Sequence, residues 1–256
     1  MLQALSEMKM KLFPSEHEKL ITAIILALVS GLLFGLLVNV GDKEGEKVLS
    51  ALVTLGAAFL GATVAFLLEN KSRKRKERAK QLEAANSLLY MLYERLNCLK
   101  IFQKDHIDPQ RENPGRMIEI RPIPNFRSPK TNFSASTVAF IFNTKYKDLM
   151  FKLHVIEEVF SESISLINIR NDLHINVYQR ALEASGHNMG EPITDHDIRA
   201  AIGPMNFELL DQTTNNMIYM VDRYVAEGNE FRVELIKVFS EIFTKEEIFA
   251  FELRKE

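Results

Sequence analysis

Two long apolar stretches near the start of the chain constrain its fold more than any other feature. Residues 20–40 and residues 48–68 each contain 21 consecutive residues without an ionisable side chain. At ~1.5 Å of rise per residue, each would form a helix of roughly 31 Å, which matches the hydrocarbon thickness of a bilayer. Only seven residues, 41–47, separate them. So short a linker predicts an antiparallel transmembrane hairpin, and we expect an integral membrane protein with two spans.

Charged residues beside the two stretches predict the orientation of the hairpin. Residues 70–80, which we call the basic collar, carry seven cations against a single acid, Glu77. The linker holds only two lysines beside three acids. Because excess positive charge stays on the cytoplasmic side, we expect both termini in the cytoplasm. The short hairpin and this charge asymmetry favour a bacterial inner membrane, and a eukaryotic membrane is the alternative. A basic run can also bind nucleic acid. Its position next to a span instead favours contact with lipid headgroups. The residues expected to make this contact are Arg73, Lys74, Arg75, Lys76 and Arg78.

Small residues recur along both apolar stretches at steps of four. Small side chains let helix backbones approach closely in lipid, where packing drives association. The stripes either close the hairpin on itself or hold several copies together as a homo-oligomer. The residues expected to make these contacts are Ala27, Gly31, Gly35, Ala57, Gly61 and Ala65.

The rest of the chain predicts an all-α, cytoplasmic domain. We divide the sequence into an N-terminal segment (1–19), the hairpin (20–68), the collar with a long connecting helix (69–104), a Pro-rich basic loop (105–136) and a helical domain (137–256). The connecting helix carries apolar residues at steps of three and four, which pack either on the domain's own helices or in a coiled coil between subunits. These residues are Leu82, Ala85, Leu89, Leu92, Leu96 and Leu99.

Capping and breaking residues predict where the later helices begin and end. Thr194 is expected to cap a short helix over 195–202, and Pro204 to begin another that ends at Gly228. A further helix is expected over 229–243, and residues 244–247 form a capping-box motif. Residues 118–123 are the one segment with a plausible strand pattern.

Residues 105–136, the Pro-rich segment, hold five of the eight prolines and show no helical periodicity. Long loops inside compact domains are usually functional or disordered. This one interleaves basic and aromatic residues, a combination that binds phosphate backbones and bases. The alternative is an ordinary surface loop, because acids dilute the charge. We expect partner docking here, through Arg121, Phe126, Arg127, Lys130 and Phe133.

Motifs for chemistry are largely lacking, which predicts a protein without catalytic activity, cofactor or metal. The sequence has no glycine-rich phosphate loop, zinc-protease motif or nucleophile elbow, and only one cysteine, Cys98. Residues 170–174 (RNDLH) resemble the Arg-Asn-x-x-x-His signature of HEPN-type ribonucleases, although His174 comes one residue early. That resemblance implies RNA cleavage by Arg170 and His174. The alternative is a structural pair on one helix face.

The whole layout resembles the two-transmembrane effectors of bacterial anti-phage systems, such as those that accompany retrons. The resemblance lies in the tight hairpin, the collar, the long emerging helix and the helical stretch 143–174. It implies a membrane-damaging toxin that acts in abortive infection and that an inhibitory protein or ribonucleoprotein holds silent. In a retron, that partner would be a reverse transcriptase with its RNA–DNA product. The alternatives are a membrane-anchored scaffold or sensor and a membrane-tethered HEPN-like ribonuclease.

Overall fold

The computed structural model of the protein describes residue 31 and residues 43–129, 135–186, 193–244 and 248–249. Within these ranges the chain is helical, with connecting turns and extended segments and no β-strand, so the all-α prediction is confirmed there. The first apolar stretch, apart from Gly31, lies outside the described residues, and so does the two-span hairpin that it would form.

The first helix, α1 (Lys43–Phe102), is 60 residues long and contains the second apolar stretch, the collar and the leucine-rich connecting segment. The chain divides into two compact units, residues 1–77 and residues 78–256. In the first unit, large apolar side chains of α1 are exposed: Leu52, Val53, Leu55, Phe59, Leu60, Val64, Phe66, Leu67 and Leu68. Among the described residues, this is the one helix long and apolar enough to cross a membrane.

The second unit is a bundle in which long helices alternate with short, irregular turns. After α1 come a π-helical turn (Gln103–Ile107), a 3₁₀ turn (Asp108–Gln110), α2 (Arg116–Glu119) and a 3₁₀ segment (Ala135–Asn143). They are followed by α3 (Leu149–Asp172), a π-helical segment (Leu173–Gln179), α4 (Arg180–Ala184), α5 (Asp195–Ile202) and α6 (Pro204–Ile242).

The core of the second unit is built mainly from α1, α3 and α6, which share one hydrophobic cluster. Five of the six apolar residues of the connecting segment are buried in it, and Leu82 packs at its edge. Their burial decides between the two interpretations of this pattern. Because these side chains already pack on their own helices, the coiled coil between subunits is wrong for this face.

The predicted helix end at Gly228 is wrong, because α6 continues through it to Ile242. Gly228 is buried, and a Cβ atom placed on it would lie only 3.1 Å from Leu96 Cδ2. The glycine therefore allows α1 and α6 to approach closely. In the sequence alone, a glycine with this packing role cannot be told from one that ends a helix.

The boundary between α5 and α6 follows the predicted signals. The Thr194 side chain and the Asp197 backbone and carboxylate form a reciprocal capping box at the start of α5. Gly203 then adopts a φ of +80°, and Pro204 occupies the first turn of α6. Of the other predicted capping box, residues 245–247 lie outside the described residues.

The Pro-rich segment is more ordered than its sequence indicates. Part of it forms the two short turns after α1, and Arg116–Glu119 forms α2. The predicted strand over 118–123 is wrong, since this stretch passes from α2 into extended chain, and no strand pairs with it within the described residues. Met117 packs with Ile198 and Phe207 in a second, smaller hydrophobic cluster.

Candidate functional site

Two features that the sequence presents separately meet in the structure. Arg170, Asn171 and His174, from the end of α3 and the segment after it, hold the Pro-rich segment by its backbone. Arg170 Nη2 donates to the Met117 carbonyl at 2.7 Å, and Asn171 Nδ2 donates to the Ile123 carbonyl at 2.8 Å. His174 Nε2 contacts the Ile118 carbonyl at 2.9 Å. These three side chains, the polar triplet, therefore anchor residues 117–123.

The physical reason lies in the backbone of the segment. Met117 and Ile118 lie in α2, a helix of four residues whose last carbonyl groups have no partner within the helix, and Ile123 lies in the extended stretch after it. Such carbonyl groups need donors when they are buried. The polar triplet supplies these donors from within the protein, and its exposed fractions are 0% for Arg170, 5% for Asn171 and 4% for His174. The prediction that Arg170 and His174 share a helix face is correct. Their contacts are to backbone carbonyls of a segment about fifty residues earlier in the chain.

Arg170 is a buried cation without a neighbouring carboxylate among its described contacts. Burial lowers the pKa of its guanidinium to about 10, so that it stays charged at neutral pH. Its Nε and Nη1 atoms have no hydrogen-bond partner within the described part of the chain. A buried charge in this condition is costly.

His174 is neutral and has one defined tautomer. Burial, together with the charge of Arg170, lowers the pKa of its imidazole to about 4. A carbonyl oxygen can only accept, so Nε2 carries the proton and Nδ1 is left as an acceptor. Nδ1 is buried and has no partner among the residues that the structure describes.

A groove of about 500 Å³ opens between the Pro-rich segment and the residues that follow α3. Its lining combines apolar side chains with a histidine, an amide and one cation. These residues are Ile118, Arg121, Pro122, Pro124, His174, Ile175 and Gln179.

The predicted docking residues fall into different environments. Arg121 and Arg127 are exposed. Phe126 is half-buried, and its ring packs on Phe102 with 5.2 Å between the ring centroids, so it packs against the core cluster. Lys130 and Phe133 lie outside the described residues.

Two other arginines of the Pro-rich segment tie it to α6. Arg111 pairs with Asp222 at 2.7 Å, and Arg116 Nη2 donates to Asn215 Oδ1 at 2.9 Å. Burial raises the pKa of Asp222, but hydrogen bonds from Arg111 and Gln103 outweigh this and hold the pKa below its ordinary value. Sequence reasoning missed these contacts, because nothing in the spacing links the two segments. Among the arginines in the described part of the segment, the exposed ones are Arg121 and Arg127.

The collar is exposed from Lys71 to Lys80. One of its side chains, that of Arg78, also contacts the end of α6. Arg78 Nη2 donates to the Ile242 carbonyl at 3.1 Å, and its guanidinium lies 5.3 Å from the centroid of the Phe243 ring. It therefore satisfies a carbonyl at the end of α6, where cations are favoured. The predicted lipid-headgroup contacts stay predictions: Arg73, Lys74, Arg75 and Lys76 are exposed, and so is Arg78.

The predicted small-residue contacts are only partly covered by the structure. Ala57, Gly61 and Ala65 are exposed on α1. A Cβ atom added to Gly31 or Gly61 would have no neighbour within 4 Å among the described residues. Ala27 and Gly35 lie outside the described residues.

Within the described ranges, no group of three or more metal-ligating side chains comes together. No protein family, characterised protein or solved structure matched this chain.

Proposed function

We propose that this chain is a membrane-embedded, non-enzymatic effector of bacterial anti-phage defence, which damages or depolarises the inner membrane when a partner complex releases it. The proposal includes the two-span hairpin, cytoplasmic termini and assembly of several copies in the bilayer. The observation that supports it most is the exposed apolar surface of α1 over residues 50–68. Bilayer contact would cover this surface.

The few polar groups in the apolar stretch of α1, residues 48–68, support the same proposal. The hydroxyl groups of Thr54 and Thr63 each donate at 2.8 Å to a carbonyl four residues earlier, Ser50 and Phe59. Hydroxyls bonded in this way leave no free donor to face lipid. Residues 48–68 contain no charge that would mark an ion or proton path. The helix is thus suited to packing in a membrane.

The Pro-rich segment is the surface where we place the inhibitory partner, a protein or a ribonucleoprotein. Its exposed cations, Arg121 and Arg127, stand on a backbone that the polar triplet and the Arg111–Asp222 pair hold in place. A surface held in this way loses little conformational entropy on binding. A reverse transcriptase with RNA–DNA is the expected partner if the system is a retron.

The two alternatives make different demands on the same residues. A ribonuclease needs Arg170 and His174 to reach RNA, but both are buried and bonded to the backbone of the Pro-rich segment. A scaffold or sensor needs the apolar helix only as an anchor. The three functions therefore differ in what the protein does to a cell when it is produced alone.

The test is expression of the full chain alone in bacteria, with a membrane-potential dye and total RNA followed together. We expect depolarisation with intact RNA. Gly61→Leu should reduce it, because a branched side chain holds helix backbones apart. The matched control is Val64→Leu, an apolar exchange at another exposed position of the same helix, which should retain depolarisation.

Two results would contradict the proposal. Polarised membranes with intact RNA would indicate a scaffold. Degraded RNA in polarised cells, abolished by His174→Gln, would indicate a ribonuclease.

A further inference from the structure

The groove beside the Pro-rich segment resembles a small-ligand site in its volume and lining. The inference drawn from it does not depend on the proposed membrane function. Ile118, Pro122 and Pro124 form one side, and Ile175 lies on the other. Its volume of about 500 Å³ falls within the roughly 300–1,000 Å³ that ligand pockets usually have. Such pockets are mostly apolar and hold a few polar groups that orient the ligand.

The one charged side chain in the described lining of the groove is a cation. Arg121 lines it and is exposed, and no acidic residue is part of the lining. Arg170 lies one helical turn before His174, and it is fully buried without a carboxylate among its described contacts. The charge of a buried cation is poorly screened, so it acts over a longer distance than a surface charge. Both arginines therefore favour an anion in the groove.

The polar groups add a defined hydrogen-bonding pattern. His174 is among the lining residues, and its Nε2–H is used by the Ile118 carbonyl, which leaves Nδ1 as an unpartnered acceptor in the described structure. The Gln179 amide adds both a donor and an acceptor. Buried polar atoms are nearly always paired in proteins, and Nδ1 of His174 is an exception within the described part of the chain.

We propose that this groove binds a small organic anion, with a carboxylate or phosphate group on a compact apolar body. Arg121 would hold the anionic group by charge-assisted hydrogen bonds. Pro122, Pro124 and Ile175 would contact the apolar body. A nucleic acid strand fits this site less well, because Phe126, the phenylalanine in the described part of the segment, is packed on Phe102 and does not offer a stacking surface.

The test uses the full chain in nanodiscs of zwitterionic phosphatidylcholine and fluorine NMR of three probes. The probes are para-fluorobenzoate, para-fluorophenyl phosphate and the neutral para-fluorobenzyl alcohol. We expect at least one of the two anions to bind about tenfold more tightly than the alcohol, which is the scale of a charge-assisted hydrogen bond. The better anion then identifies whether carboxylates or phosphates are the ligand class.

Two exposed cations of the same segment provide a matched pair of variants that should not disturb folding. Arg121→Gln removes the cation in the groove and should weaken the preferred anion about tenfold. Arg127→Gln removes one that does not line the groove and should leave the affinity unchanged. Equal binding of the alcohol and the anions, equal losses in both variants, or no binding of any probe would each overturn the proposal.

Discussion

Gly228→Ala is the substitution whose effect depends most directly on how α1 and α6 pack. Gly228 is buried in the middle of α6, and a Cβ atom there would lie 3.1 Å from Leu96 Cδ2 and 3.6 Å from Tyr224 Cζ. Non-bonded carbon atoms are most favourable at about 3.5–4.0 Å. The Leu96 side chain would have to move by a few tenths of an ångström. It is only 1% exposed, so it has no solvent to move into.

Two opposing terms determine the sign of the change. In a helix interior, alanine is favoured over glycine by ~1 kcal/mol. Forcing an extra methyl group into a packed core costs about 1–3 kcal/mol. We therefore expect Gly228→Ala to lower the free energy of unfolding by about 1 kcal/mol. In a Leu96→Ala background, which removes the clashing branch, the same substitution should raise it by ~1 kcal/mol.

The assay is urea unfolding of the full chain in mild detergent, followed by far-ultraviolet circular dichroism. Ala226→Gly, at an exposed position of α6, is the control and should cost ~1 kcal/mol through helix propensity alone. Stabilisation by Gly228→Ala in the wild-type background would refute the packing argument. So would the absence of a sign change when Leu96 is shortened.

Three further predictions use the same unfolding assay. In the unfolded chain the His174 imidazole binds a proton below about pH 6.5, whereas in the folded protein its pKa is about 4. The free energy of unfolding of the wild type should therefore fall by up to ~3 kcal/mol as the pH drops from about 6.5 to about 4. His174→Gln should show a flatter pH profile, and identical profiles would contradict the neutral, buried assignment. Thr194→Ala should cost about 1 kcal/mol by removing the capping box with Asp197, and no loss would mean that the cap is dispensable. Arg95→Met should lower the free energy of unfolding by about 2 kcal/mol, because it leaves Glu157 without its partner. This is less than the ~3–5 kcal/mol expected for a fully buried pair. An unchanged urea midpoint would argue against the ion pair.

Local signals in the sequence predict the parts of the fold that depend on local chemistry. Thr194 and Pro204 mark the starts of α5 and α6, because a cap and a proline act within one turn of the helix. Gly228 is misleading, since a glycine that ends a helix and one that allows close packing look alike without the neighbouring helix. The turns after α1 escape prediction because short π and 3₁₀ stretches leave no apolar period.

The candidate site shows a similar limit. The sequence singles out both the Pro-rich segment and the Arg170–His174 pair, and it places the pair on one helix face. It cannot join them, because the bonds to Met117 and Ile118 link residues more than fifty positions apart. The pairing of Arg111 with Asp222 and the packing of Phe126 on Phe102 likewise depend on long-range contacts.

The proposed function requires α1 to lie in the membrane, and cysteine accessibility can measure this. The chain has one cysteine, Cys98, so a Cys98→Ser background allows single cysteines to be placed at will. Phe59 and Phe66 have exposed side chains in the structure, as does Lys71 in the collar.

Inverted inner-membrane vesicles should be treated with a membrane-impermeant maleimide. We predict rapid labelling of Lys71→Cys, and protection of Phe59→Cys and Phe66→Cys until detergent is added. Labelling of Phe59→Cys as fast as Lys71→Cys in intact vesicles would show that water, and not lipid, surrounds this helix, and would contradict its insertion in the membrane.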